Sequence, residues 1–118
     1  MDAFKQYIQQ YTPLLNTEWD LIRSHLTVQE VEAGTVLLRE GALCRHLYFV
    51  EQGLLRFYRH QDGRTVSKFF TVAPYCFTEQ QSFSRLIPSN NAIETLEPCL
   101  LYRMPRQAAF DLLDALPH

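Results

Sequence analysis

The placement of the four glycines limits this chain to a fold that is built mainly from short strands. All of them lie between positions 34 and 63, at Gly34, Gly41, Gly53 and Gly63. They separate short runs that are rich in Val, Leu, Phe and Tyr, which is typical of strands joined by tight turns. A chain of 118 residues has the size of one domain. We therefore predict a single, mainly β domain.

The clearest turn is Asp62-Gly63, because both residues tolerate the positive φ angles of a two-residue hairpin turn. Alternating side chains flank it, in Leu55-Phe57-Arg59 before the turn and in Thr65-Ser67-Phe69 after it. The whole pattern predicts strands at residues 28–31, 36–38, 46–50, 54–60, 64–70, 92–96 and 100–104. The segment 72–88 is too long for a simple turn, and we expect it to form the wall of a pocket.

Apolar residues at helical spacing predict helices at both ends of the chain. The apolar faces consist of Phe4, Tyr7, Ile8 and Tyr11, then Trp19, Ile22 and Leu26, and finally Ala109, Leu112, Leu113 and Leu116. Thr17 is the predicted cap of the second helix, Pro105 lies in the first turn of the last one, and Pro117 ends it. We expect a helical lead-in over 1–26, a β-roll over 27–104 and a short helix over 105–116, in a two-sheet roll or barrel.

Composition and charge exclude several classes of protein. There are 11 Lys and Arg against 13 Asp and Glu, so this segment has no excess of cations with which to bind nucleic acid directly. The longest nearly apolar stretch, residues 69–77, is far shorter than the ~20 residues of a membrane span. The N-terminus does not resemble a signal peptide, and Cys44, Cys76 and Cys99 form no C-x-x-C pair. These features predict a soluble cytoplasmic protein with reduced thiols.

Three stretches of the predicted roll resemble a known family. They are GTVLLREG at 34–41, LYFVEQG at 47–53, and RFY at 56–58 with DGR at 62–64. Over residues 19–116 the chain resembles the cyclic-nucleotide-binding domain of Crp/Fnr-type bacterial transcription regulators. The resemblance implies a jelly roll, also called a double-stranded β-helix, whose cupin-like interior holds a small-molecule effector and has no enzymatic activity.

The resemblance also implies partners outside this chain. In that family a long dimerisation helix and a winged helix-turn-helix follow the roll. Neither occurs in these 118 residues. We therefore expect a fragment of a homodimeric regulator that binds DNA through the missing segment.

The family holds its nucleotide with a motif in the loop that corresponds to residues 72–88. A Gly-Glu pair supplies a glutamate for the ribose hydroxyl, and about ten residues later an arginine before a small residue binds the cyclic phosphate. Here Thr78-Glu79-Gln80 replaces the pair, and Ser89-Asn90 stands where the arginine is expected. A buried phosphate needs charge-assisted partners, which a neutral hydroxyl does not provide. We therefore predict a degenerate pocket that binds cyclic AMP weakly, and no resident cofactor.

Other cationic side chains are candidates to replace the missing arginine. Lys68 would enter the pocket if its strand face is interior, and Arg56 has the same ambiguity. Arg85 is too close to Glu79 in sequence to fit the motif. For each candidate, the alternative is an ordinary structural role as a turn, capping or surface residue. The predicted ligand-binding residues are Thr78, Glu79, Gln80, Ser89, Asn90 and Lys68.

Two other kinds of site are alternatives to effector sensing. A metal-dependent cupin-like enzyme would need closely spaced histidines, yet His46 and His60 are 14 residues apart. A metal or redox sensor with an iron–sulfur cluster would need about four convergent thiolates, and the three cysteines are dispersed. Cys76 and Ser82 have no neighbouring histidine in the sequence to activate them as nucleophiles. An effector-sensing domain is therefore the favoured hypothesis.

Overall fold

Eight strands form two antiparallel sheets. The computed structural model describes residues 2–115, except the side chains of Leu113 and Ala115. The strands are β1 (Thr27–Val31), β2 (Val36–Leu38), β3 (His46–Gln52), β4 (Leu54–Gln61), β5 (Arg64–Val72), β6 (Tyr75–Phe77), β7 (Ala92–Thr95) and β8 (Cys99–Pro105). One sheet has the order β1-β8-β3-β6 and the other the order β2-β7-β4-β5. The predicted mainly β jelly roll with short flanking helices is confirmed.

The core lies between the two sheets because apolar side chains alternate along their central strands. Leu55 and Phe57 on β4 and Ile93 on β7 are almost completely buried. Val50 on β3 and Leu101 on β8 are buried in the other sheet. The strands therefore bury one face against each other, as the alternation in the sequence predicts.

Four helices accompany the sheets: α1 (Asp2–Gln9), α2 (Asn16–Arg23), α3 (Gln80–Arg85) and α4 (Arg106–Ala115). On α1 the ring of Phe4 stacks on that of Phe49 in β3, with 4.6 Å between the ring centroids. Trp19 of α2 meets Phe4 edge-on at 6.1 Å, and α4 packs on β3 and β8. The first two helices thus extend the aromatic core beyond the first sheet. No helix within residues 2–115 is long and apolar enough to cross a membrane.

The structure corrects several predicted boundaries. The segment 72–88 is not one loop, since it contains β6 and α3. The second helix begins at Asn16 rather than at a Thr17 cap, because the Glu18 carboxylate accepts the Leu15 N–H at 2.9 Å. Pro105 ends β8 instead of opening α4. The predicted positions of Leu116 and Pro117 lie outside the described residues.

Gly53 connects β3 to β4 in a single residue, which places its backbone against the start of β8. Its φ is +115°, a conformation that strongly favours glycine. A Cβ at this position would collide with the Cys99 sulfur and lie 2.8 Å from the Pro98 carbonyl oxygen. Neither the backbone nor the buried sulfur moves away easily. This close approach therefore requires glycine.

We expect Gly53→Ala to lower the free energy of unfolding by about 3 kcal/mol or more, because backbone strain and overpacking add. Gly34→Ala is the matched control, since Gly34 also has a positive φ (+82°) but nothing within 4 Å of the added carbon. The control should cost only about 1–2 kcal/mol. Urea denaturation measures both, and equal losses in the two variants would contradict the packing argument.

Candidate functional site

A cavity of about 370 Å³, which we call the polar cavity, opens between β4, β5 and the chain around α3. Its volume is within the range of small-molecule sites, about 300–1,000 Å³. Four of the six predicted ligand residues line it, namely Thr78, Glu79, Gln80 and Asn90. The other lining residues are Phe57, Arg59, Phe69, Gln81 and Asn91.

A second cavity of about 680 Å³, the aromatic cavity, shares Phe57, Phe69, Thr78 and Gln80 with the first. The rings of Phe57 and Phe69 stack at 4.3 Å between centroids, and Phe69 is still half exposed. The two cavities therefore meet at an apolar, aromatic wall with polar groups on one side. Such a combination suits a small ligand that has both a ring or carbon frame and polar substituents.

Glu79 is held in the wall of the polar cavity by the start of α3. It is the N-cap of that helix, and its Oε2 accepts the Ser82 N–H at 3.2 Å. The Ser89 hydroxyl lies 3.2 Å from the same oxygen. Both contacts go to Oε2, so that Oε1 has no hydrogen-bond partner within residues 2–115. One oxygen of the carboxylate is thus structural, and the other is available to a ligand donor.

Ser89, the residue predicted to replace the family's arginine, is hydrogen-bonded within a turn and does not line either cavity. It is buried, and its hydroxyl donates to the Asn91 carbonyl oxygen at 2.6 Å and accepts the Asn91 N–H at 3.1 Å. Its backbone also pairs with Gly41 and Ala42. The hydroxyl has one proton, and the shorter contact to Asn91 uses it. Its predicted contact with a ligand stays a prediction.

The remaining predicted residues are placed differently. Thr78 donates its hydroxyl hydrogen bond to the His46 carbonyl oxygen at 2.8 Å, so this side chain links the cavity wall to β3. Gln80 and Asn90 are exposed at the cavity edge. Lys68 is exposed and lines neither cavity, because it shares a strand face with Phe70, which pairs with Arg56 on the outer side of the sheet. Its role as a phosphate partner has no geometric support.

Arg56 lies on the opposite face of β4, where its side chain is already paired. Its guanidinium pairs with Glu94, through Nε at 3.1 Å and NH2 at 3.0 Å. The guanidinium carbon lies 4.4 Å from the centre of the Tyr58 ring. Arg56 therefore stabilises the outer surface of the second sheet and does not enter the cavities.

The cation that does line the polar cavity is Arg59, which the sequence reasoning used only as a flank of the hairpin. It follows Leu55 and Phe57 at alternate positions of β4, so the signal for an interior arginine was present in the sequence. Its Nε is buried and has no hydrogen-bond partner, and Arg59 forms no ion pair within residues 2–115. The Oδ1 atom of Asn91, in the same cavity, is also buried without a partner.

Metal and thiol chemistry finds no support in this part of the molecule. Within residues 2–115, no group of three or more His, Cys, Asp or Glu side chains is arranged to hold a metal ion. Burial raises the pKa of the Cys76 thiol to about 11 and also raises the pKa of Cys99. A thiol that stays protonated at neutral pH is a poor nucleophile and a poor redox centre. The enzyme and redox alternatives are therefore unsupported.

Comparison with known proteins identifies the family. The family model of the cyclic nucleotide-binding domain matches residues 28–115. The chain belongs to the cyclic nucleotide-binding domain family, and the resemblance seen in the sequence is confirmed. No curated protein sequence matches the chain.

Solved structures with the same fold include transcription regulators and kinase regulatory domains. The Thermus thermophilus catabolite activator protein is 23% identical (TM-score 0.77), with 91% of this chain and 50% of that chain covered. DNR from Pseudomonas aeruginosa is 16% identical (TM-score 0.81), with coverages of 99% and 53%. The regulatory domain of Toxoplasma gondii PKA, solved with cAMP, is 20% identical (TM-score 0.75), with coverages of 84% and 38%. At these identities the similarity shows the fold, and this chain spans about half or less of each structure.

Ser82 fixes α3 against the rest of the cavity wall, and its removal should loosen that wall. Its fully buried hydroxyl accepts the Cys44 N–H at 2.8 Å and donates to the Ile87 carbonyl oxygen at 2.6 Å. We expect Ser82→Ala to lower the free energy of unfolding by about 1–3 kcal/mol, because it leaves the buried Cys44 donor unpaired. Urea denaturation measures the loss. The exposed neighbour Ser84 provides the control, and an equal effect of Ser84→Ala would show that the hydrogen bonds are unimportant.

Proposed function

We propose that this chain is the effector-sensing domain of a Crp/Fnr-type transcription regulator whose cyclic-nucleotide motif has lost its phosphate-binding arginine. The observation that carries the proposal is the role of Ser89. It stands at the predicted arginine position, and its hydroxyl is hydrogen-bonded to backbone groups within the turn. The family match over residues 28–115 and the position of Glu79 in the wall of the polar cavity support a ligand-binding role. The polar cavity has the size of an effector site but lacks the usual phosphate partner.

Binding in the polar cavity would be transmitted to the last helix through α3. The Arg106 side chain of α4 donates from Nε to the Phe83 carbonyl oxygen at 2.5 Å and from NH2 to the Ser84 carbonyl oxygen at 3.2 Å. The rings of Phe83 and Phe110 also stack at 5.5 Å between centroids. Glu79 caps the same helix α3. An effector that hydrogen-bonds to Glu79 would therefore favour one position of α3 and α4 over another.

The partners follow from the regulators that share the fold. This chain spans about half of the catabolite activator protein and of DNR, the latter described as a transcriptional regulator. We propose that a further segment of the intact protein supplies the dimer contact and the DNA-binding surface, and that the protein acts in the cytoplasm. A domain with a net charge of −2 is not itself suited to bind DNA.

Calorimetry of the intact regulator with cyclic AMP and cyclic GMP tests the degenerate motif. We expect no binding in the micromolar range or tighter, because no guanidinium stands at position 89. In the variant Asn90→Arg, which places a guanidinium on an exposed residue that lines the polar cavity, we expect cyclic AMP to bind about tenfold more tightly, as one charge-assisted pair provides.

The exposed Ser24→Arg variant is the matched control for the added charge, and its affinity should equal that of the wild type. Micromolar or tighter binding of cyclic AMP by the wild type would contradict the proposal. An Asn90→Arg variant that folds and shows no gain would also contradict it, by showing that a missing guanidinium is not what limits binding.

A further inference from the structure

The polar cavity contains two buried polar atoms that the protein itself leaves without partners. They are Nε of Arg59 and Oδ1 of Asn91, and both residues line this one cavity. Buried polar atoms are nearly always hydrogen-bonded, since leaving one unpaired destabilises the fold. A bound molecule would satisfy both atoms, but neither has accessible surface, so the two side chains must turn towards the cavity to contact it.

Arg59 is the cation that such a molecule would meet. Arg59 forms no ion pair with the nearby carboxylates in the described part of the chain. Glu94 is bound to Arg56 at 3.0 Å, and Glu40 is bound to His60 at 2.6 Å. The hydrogen bonds of His60 lower the pKa of Glu40 more than the charge of Arg59 does. Glu79 lines the same cavity, and the two side chains form no ion pair. A guanidinium that lines a cavity and forms no ion pair favours a phosphate or carboxylate, whose oxygens accept charge-assisted hydrogen bonds.

The other wall of the cavity needs hydrogen-bond donors. Glu79 Oε1 and Asn91 Oδ1 are acceptors without partners within residues 2–115. Hydroxyl or amino groups of a ligand would supply donors to both atoms. A second anionic group beside Glu79 would be repelled, so the charges orient the ligand with its anionic end at Arg59.

We propose that the polar cavity binds a small hydroxylated anion, a phosphorylated or carboxylated polyol, with the anionic group on Arg59 and hydroxyl groups on Glu79 and Asn91. This proposal rests on the proposed function, because it takes the polar cavity to be the effector site. The stacked rings of Phe57 and Phe69 form its apolar wall, which accommodates the carbon frame. Arg59 thus supplies, from β4, the positive charge that the loop position 89 lacks.

The test is a titration of the ¹⁵N-labelled chain, followed by NMR, with two probes that carry the two kinds of anionic group. The probes are D-ribose 5-phosphate and D-gluconate, and uncharged D-ribose is the control. We expect at least one probe to shift the backbone amide signals of Phe57, Arg59 and Asn91 saturably, in the millimolar range or tighter. The probe that binds more tightly shows whether the site prefers phosphate or carboxylate. D-ribose should bind at least tenfold more weakly than that probe, since it cannot pair with Arg59.

Variants separate the role of Arg59 from a general charge effect. We expect Arg59→Met to weaken binding about tenfold or more and Arg59→Lys to retain part of it. The exposed Arg64→Met variant removes the same charge on the neighbouring strand and should bind as the wild type does. The thermal midpoint of Arg59→Met should be unchanged or higher, because the substitution removes a buried donor without a partner.

Three results would overturn the site. They are no saturable binding of either charged probe, equal binding by D-ribose, and undiminished binding by Arg59→Met. A lower thermal midpoint for Arg59→Met would also overturn it, by showing that Arg59 supports the fold. Failure here is distinct from failure of the proposed function, which micromolar binding of cyclic AMP to the intact regulator would contradict.

Discussion

The alternation of side chains along β4 places the core and the candidate site on one face of the same strand. Leu55 and Phe57 fill the space between the sheets, and Arg59 is the next side chain on that face. β4 pairs with β7 as far as Tyr58 and with β5 along its whole length, so that Arg59 directly follows the part of the strand that is paired on both sides. The position of the guanidinium therefore depends on the packing of the core, and the cavity is a continuation of the core towards the surface.

The opposite wall of the cavity is organised by short hydrogen bonds rather than by a cation. Ser82 and Ser89 are buried and bind backbone groups on either side of α3, which fixes the chain that carries Glu79. A wall held by its own hydrogen bonds is already ordered before a ligand arrives, so that binding does not have to order it. The Arg106 side chain of α4 also hydrogen-bonds to this wall. These bonds connect the site to the last helix of the domain.

Much of the fold follows from the sequence, because glycines and alternating side chains are direct consequences of strand geometry. Seven of the strands lie where the pattern predicts them, whereas β6 and α3 have only three and six residues and carry too little periodicity to be distinguished from a loop. Lys68 was a candidate because the sequence does not show which face of β5 is interior, and the pairing of Phe70 with Arg56 places the face of Lys68 on the outer side. Arg59 was overlooked because an arginine beside a hairpin is usually at the surface, and only the three-dimensional packing shows that its Nε is buried.

The central claim is that the positive charge for an effector comes from Arg59 rather than from the loop that contains Glu79. It is tested most directly by NMR of the arginine side-chain Nε–H groups during a titration with D-ribose 5-phosphate. The account predicts that the Arg59 signal shifts saturably, while the signal of Arg56, which is already bound to Glu94, stays unchanged. An unchanged Arg59 signal together with a shift of the Arg85 signal would place the anion at the loop and contradict the account.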